Sequence, residues 1–184
     1  RVNLLVEAFR RRPDARLVVI GDGPERRRLE AAAPANVTFL GYQPDAVVID
    51  HFRRARAFLY AAEEDFGIVP VEAQAAGAPV VAYGRGGTSE TVVDQGRPGA
   101  TGVLFHEQTV EAVLAALDRF ERHVHELTPE NCRINAQRFS GERFRDEFRA
   151  AVEQAYAAFA ASLAAGGGAA PATRSAGPVA VVET

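Results

Sequence analysis

Lysine is absent from this chain of 184 residues, and all 21 of its basic residues are arginine. With the abundant alanine, this is most simply a bias toward GC-rich codons. It also excludes, within this sequence, any phosphate site that uses lysine as a compact point charge. Methionine is absent as well. The opening residues, Arg1-Val2-Asn3-Leu4-Leu5-Val6-Glu7-Ala8-Phe9-Arg10, already read as an amphipathic helix with Val2, Leu5, Val6 and Phe9 on one stripe. The chain is therefore expected to be cut from something longer. The single cysteine, Cys132, excludes an internal disulfide and suits a reducing compartment. It is expected to be a small buried or half-buried residue in a helix. No run approaches the roughly 18 apolar residues that a membrane-spanning helix needs. No charged start followed by an apolar core and a small-residue cleavage site is present either. The net charge of -3 argues against a broad nucleic-acid surface.

What the sequence does contain is an alternation. Short apolar, β-rich runs at 16–20, 37–40, 57–60, 80–83 and 102–105 are separated by helical patterns at 2–12, 24–33, 45–54, 69–76 and 89–95. Runs such as Leu17-Val18-Val19-Ile20 are continuously apolar, as strands covered on both faces should be. The pattern predicts an α/β fold, a Rossmann-like doubly wound parallel sheet with helices on each side. Pro24 is expected at the first position of its helix and Asp45 as a cap of the next. Gly77 should end a helix that Pro79 prevents from resuming. Beyond Phe105 the pattern is helical, at 109–120, 129–138 and 141–163. The last segment carries Phe144, Phe148, Val152, Tyr156 and Phe159 as a docking face. Residues 1–163 are expected to form one domain, and the Gly-, Ala- and Pro-rich residues 164–184 a disordered tail.

In a doubly wound sheet, ligands bind beyond the carboxyl ends of the strands. Four polar or glycine-rich segments fall at such ends: Gly21-Asp22-Gly23, Gly41-Tyr42-Gln43-Pro44, Glu63-Glu64-Asp65-Phe66-Gly67 and Gly84-Arg85-Gly86-Gly87. Each alone is ordinary turn chemistry; their convergence on one edge is the stronger signal. Glu64 and Glu72 bracket a Phe-Gly pair and a helix start near Ile68 or Val69. Glu72, expected in the first turn, could accept from two neighbouring ribose hydroxyls. The amides of Gly67, Ile68 and Val69 are left free there to face an anion. Pro70 is tolerated because it lies in that first turn. The plainer reading of Glu72, a carboxylate that complements the helix dipole, is worth roughly 0.3–1 kcal/mol. The four histidines show no spacing with Cys132 that suggests a metal site.

The stretch Glu64-Asp65-Phe66-Gly67-Ile68-Val69-Pro70-Val71-Glu72, with Gly84-Arg85-Gly86-Gly87 after it, resembles the C-terminal donor-binding half of retaining GT-B glycosyltransferases of the group 1 type. The resemblance spans about residues 1–160 and is densest over 36–93. It implies that Glu72 binds the nucleotide ribose and that Glu64, the candidate catalytic residue, lies beside the donor sugar. Phe66, Gly67, Ile68 and Val69 would offer main-chain amides to the sugar hydroxyls and diphosphate. Tyr42, Gln43 and Pro44 would lie against the base, Gly86 and Gly87 would border the phosphates and sugar, and Gly21 and Gly23 complete the donor-binding edge. The resemblance further implies sugar transfer with retention, without a metal or a cofactor, the nucleotide sugar being the substrate. GDP-mannose is favoured over UDP-sugars. The partners implied are a nucleotide sugar, an N-terminal acceptor domain of the same chain, and a glycan or lipid-linked acceptor. The expected location is the cytoplasm, at the inner membrane face if the acceptor is lipid-linked.

The departures matter too. In the family this domain opens with a strand carrying an Arg, followed by a Lys that clamps the diphosphate; both would precede Arg1. Those roles are not transferred to Arg1 or Arg85. In the usual strand order the missing strand is central, so the strands around Leu17 and Phe58 should be left with unpaired edges and the segment alone should be poorly stable and inactive. Two other readings stand beside this one: a sugar-nucleotide epimerase on the same architecture, and a non-catalytic nucleotide-binding module. A dinucleotide-binding domain is disfavoured, since no Gly-x-Gly-x-x-Gly follows a strand. A glycosidase pair is discounted because Glu72, facing amides, should stay ionised.

Overall fold

A computed structural model of the chain describes residues 1–165. The elements run α1 (Val2–Arg10), β1 (Leu17–Ile20), α2 (Arg26–Ala31), β2 (Val37–Gly41), α3 (Asp45–Arg54), β3 (Phe58–Tyr60), α4 (Ile68–Ala76), β4 (Val80–Tyr83), α5 (Thr88–Thr91), β5 (Gly102–Phe105), α6 (Val110–His123), α7 (Pro129–Gln137) and α8 (Gly141–Ala165). All five expected strands are present, and every pairing is parallel.

The strands form two sheets, β1-β2 and β3-β4-β5. Both feed one core: Leu17 and Val37 from the first sheet share a cluster with Val81, Tyr83, Val103 and Phe105 from the second. Leu5, Val6, Ala8 and Phe9 of α1 and Val113, Ala116, Leu117 and Phe120 of α6 close that cluster. Alternate strand residues face the other way, because side chains switch sides at every residue. Val80, Ala82 and Leu104 join Phe52 of α3 and Ala73 of α4 in a second core. The three-stranded sheet is thus covered on both faces, and β4 and β5 are buried at every residue. The strands around Leu17 and Phe58 lie in different sheets, each with one edge unpaired among the described residues.

Several local expectations are corrected. Helix α2 does not begin at Pro24: the Asp22 carboxylate takes the Gly23 amide at 2.8 Å, and the Arg26 amide closes a turn onto the Gly23 carbonyl at 3.1 Å. Pro24 therefore sits in the turn before the helix. Asp45 does not cap α3 either; Pro44 holds the cap position, extended at ψ 153°, and Asp45 is the first helical residue. Helix α5, expected over 89–95, is four residues long. Val92 leaves it extended, and Val93 exchanges hydrogen bonds with Thr101, accepting from its amide at 2.8 Å. The β-branched run Thr91-Val92-Val93 favours that exit. Gly77 does end α4, in the left-handed conformation at φ 98°.

Arg1–Ser140 form one compact unit, and the chain from Gly141 belongs to a second. Helix α8 lies in the second unit and runs to Ala165, two residues into the tail expected from 164. The rest of that tail, 166–184, lies outside the described residues. Along α8 the side chains of Phe144, Phe148, Val152, Tyr156, Phe159 and Leu163 are all exposed.

Candidate functional site

Because the strands are parallel, all four candidate segments leave from carboxyl ends. The structure ties them together in pairs. At the end of the first sheet, the Gly21 amide donates to the Gly41 carbonyl at 2.8 Å, joining the turn after β1 to the turn after β2. Gly21 needs its freedom here, at φ 122°. Beside it lies a cleft of about 560 Å³ lined by Asp22, Gly23, Pro24, Arg26, Arg27 and Glu30. The Gly23 amide, with the Arg26 guanidinium adding, holds the Asp22 carboxyl below its ordinary range. Tyr42 projects from the neighbouring turn, 78% exposed. Gln43 does not project with it: its side-chain amide turns back to the Leu40 carbonyl at 2.8 Å.

At the end of the second sheet, Glu64 and Gly86 form a parallel bridge, and the Gly87 amide donates to the Glu64 carbonyl at 2.7 Å. The approach is too close for any side chain. A Cβ on Gly86 would lie 2.2 Å from the Glu64 carbonyl oxygen, and one on Gly87 would lie 2.1 Å from that of Phe66. Gly67, left-handed at φ 82°, then turns the chain into α4. The amides of Ile68 and Val69 open the helix with no intrahelical partner, and Pro70 has no amide to leave orphaned.

Glu72 is the fifth residue of α4, one position past the first turn where it was expected. A dipole interaction fades beyond the first turn, so the plainer reading of this carboxylate weakens. Helical side chains tilt toward the N-terminus, which leans Glu72 back toward the glycine turns. It is exposed and makes no hydrogen bond or ion pair among the described residues. The neighbouring carboxylates differ. Glu63 pairs with Arg85 at 3.3 Å, and Glu64 accepts from the Tyr60 hydroxyl.

A model of the family described as glycosyl transferases group 1 matches residues 1–139. The chain belongs to this family. It is 34% identical over 128 residues to a D-inositol 3-phosphate glycosyltransferase of Gordonia bronchialis, covering 68% of this chain and 27% of that protein. A GDP-mannose-dependent monoacylated alpha-(1-6)-phosphatidylinositol monomannoside mannosyltransferase of Corynebacterium glutamicum is 33% identical over 121 residues, 60% of this chain and 30% of that one. The chain thus spans under a third of the length of these curated relatives. Among solved structures, the sucrose-phosphate synthase of Thermosynechococcus elongatus superposes with a TM-score of 0.70 at 28% identity, over 85% of this chain and 42% of that one. Anabaena HepE in complex with UDP-glucose gives 0.65 at 24% identity, over 82% and 44%, a likeness of fold alone. The fold is the Rossmann-like α/β fold of the GT-B glycosyltransferases.

In this group 1 glycosyltransferase chain, several residues that support the edge carried no sequence signal. Gln74, fully buried, donates to the carbonyls of Pro70 at 3.1 Å and Thr91 at 3.0 Å. Asn135 of α7 donates to the Gln74 side chain at 2.7 Å and to the same Thr91 carbonyl at 2.8 Å. Thr91 in turn donates its hydroxyl to Gly87 at 2.9 Å, and Thr88 donates to the carbonyls of Tyr83 and Arg85. One buried network therefore fixes the start of α4 against the 84–87 turn. Phe66 is held from outside by an edge-on contact with Phe139, ring centroids 5.6 Å apart. Cys132 is buried in α7 as expected, and burial pushes its thiol up to about 12. Among the described residues no cluster of His, Cys, Asp or Glu is placed to hold a metal ion, and no helix is long and apolar enough to cross a membrane.

Proposed function

We propose that this chain is the donor-binding domain of a longer glycosyltransferase, which transfers a sugar from a nucleotide-diphosphate sugar to an acceptor hydroxyl. The observation that carries this reading is an exposed carboxylate without a partner among the described residues, Glu72, set just inside a helix that opens with free amides beside two interlocked glycine turns. Glu72 accepts from the ribose hydroxyls, and the Ile68 and Val69 amides face the diphosphate. Glu64 and the Gly86-Gly87 turn border the sugar, and Tyr42 lies against the base.

In this reading the bond between the anomeric carbon and the diphosphate oxygen breaks as the acceptor oxygen attacks from the same face. The acceptor's proton passes to an oxygen of the departing phosphate. Configuration is retained and no metal is required. Amides aimed at the leaving group stabilise its growing charge without reorganising. GDP-mannose is the favoured donor, in keeping with the GDP-mannose-dependent relatives. The acceptor is a glycan or lipid-linked hydroxyl held by another part of the protein, at the cytoplasmic face of the membrane in the lipid case. Residues 1–184 alone are inactive and poorly stable, since β1 and β3 each have one edge unpaired among the described residues and the acceptor site lies elsewhere.

The test is a screen of nucleotide sugars against the complete protein in the presence of a chelator, with nucleotide release and product anomeric configuration as readouts. Release from GDP-mannose with a retained product is expected. Failure of every nucleotide sugar to turn over, together with unaltered GDP and UDP binding in Glu72→Ala, would remove the assignment.

A further inference from the structure

Tyr60 ends β3 with its ring already seated. Phe58, two residues earlier on the same face, lies 6.0 Å from it, and Phe58 meets the buried Phe52 of α3 edge-on at 5.3 Å. Phe58 and Tyr60 both pack against the second core. The ring is anchored below the strand end, while the hydroxyl reaches the Glu64 carboxylate and donates to it. Burial first, then the hydrogen bond and charge of Glu64, push the phenol up to about 12. The phenol thus keeps its proton, and its donor role, at neutral pH. Glu64 is fixed in its main chain by the Gly86 bridge and the Gly87 amide. Its side chain is exposed, and Tyr60 is the partner the structure gives it.

We propose that Tyr60 is a positioning residue for Glu64, its hydroxyl fixing the carboxylate at the edge where the donor sugar lies. The proposal rests on the function proposed above. An exposed glutamate loses rotamer freedom whenever it must hold a ligand in one geometry. A hydroxyl set on a packed ring removes that freedom before the ligand arrives, which is how a supporting shell sharpens a site. A phenol donates a single hydrogen bond, so it takes one acceptor position of the carboxylate and leaves the others to sugar hydroxyls.

The experiment uses the complete protein with Tyr60→Phe, Glu64→Gln and the double substitution. Hydrolysis of GDP-mannose and of UDP-glucose, read as nucleotide release, needs no acceptor. Calorimetric affinity for GDP and UDP and the thermal midpoint are measured alongside. Tyr60→Phe should lower kcat by about tenfold, as expected for one hydrogen bond to a charged group. Nucleotide affinity and the midpoint should be unchanged, and the double variant should be no slower than Glu64→Gln. Additive losses, a lowered midpoint accounting for the loss, or an unaffected Tyr60→Phe each overturn the positioning role and leave the site assignment standing. A Glu64→Gln enzyme with unaltered turnover would instead remove Glu64 from the sugar end, and the proposal with it.

Discussion

The amide of Gly87 donates to the carbonyl oxygen of Glu64 at 2.7 Å, joining two turns that are more than twenty residues apart in sequence. The contact exists only because neither Gly86 nor Gly87 carries a side chain. Replacing either with alanine drives a Cβ into main-chain oxygen, with no flexible atom to yield. Gly86→Ala and Gly87→Ala should each cost about 1–3 kcal/mol in denaturant melts of the complete protein and abolish nucleotide binding. Gly23→Ala, whose added carbon meets open space, should be neutral within about 0.5 kcal/mol.

Glu72→Ala should weaken GDP or UDP binding by about one to two orders of magnitude, the loss expected for hydrogen bonds to a charged acceptor. Its side chain is exposed and engages no other residue described, so the melting midpoint should stay put. Unchanged binding in a titration would exclude Glu72 from the ribose site.

Gln74→Ala removes from a fully buried cluster the donor to the Pro70 and Thr91 carbonyls and one of the two acceptors of the Asn135 side-chain amide, which keeps its bond to Thr91. The expected destabilisation is about 1–3 kcal/mol. Combined with Asn135→Ala it should fall well short of the sum, because the two side chains satisfy each other. Additive losses in chemical denaturation would show that they do not act as a unit.

Alkaline pH should loosen the fold in a defined window. The folded state raises Tyr60 from 10.0 to about 12 and Cys132 from 9.0 to about 12. Each group binds its proton more tightly folded than unfolded. Stability is therefore unaffected by these groups below the ordinary value and is lost as pH climbs from there through about 12, where the folded state must ionise them. Denaturant midpoints should therefore begin to fall near pH 9 and fall more steeply above 10, and Tyr60→Phe should flatten the part above 10. A flat profile in the wild type would contradict these assignments.

The strands were legible because each is a continuous apolar run between turn residues, and burial on both faces demands such runs. Helix α4 was legible from Gly67, Pro70 and Gly77, each of which has one structural use at its place. Helix α5 misled because Ser89 and Glu90 look like a helix start, whereas Val93 pairs with Thr101, eight residues on, and draws the chain out. Pro24 and Asp45 misled in the same manner: a bond from the Gly23 amide to the Asp22 carboxylate and an extended Pro44 decided matters that composition left open. The supporting network was illegible for a plainer reason. Gln74 and Asn135 are 61 residues apart, and nothing in either neighbourhood specifies the other. Tyr60 read as one more apolar strand residue, since its hydroxyl acts only across the turn to Glu64.

Phe139 sits at the far end of the first unit, yet its ring is what Phe66 leans on. A chain trimmed to stop ahead of residue 139 would keep every strand and every glycine turn. It would nonetheless leave the Phe66 loop without its outer wall. Ending at Ser140 keeps that wall, which makes residue 140, rather than the last strand, the natural limit of this unit within the longer protein.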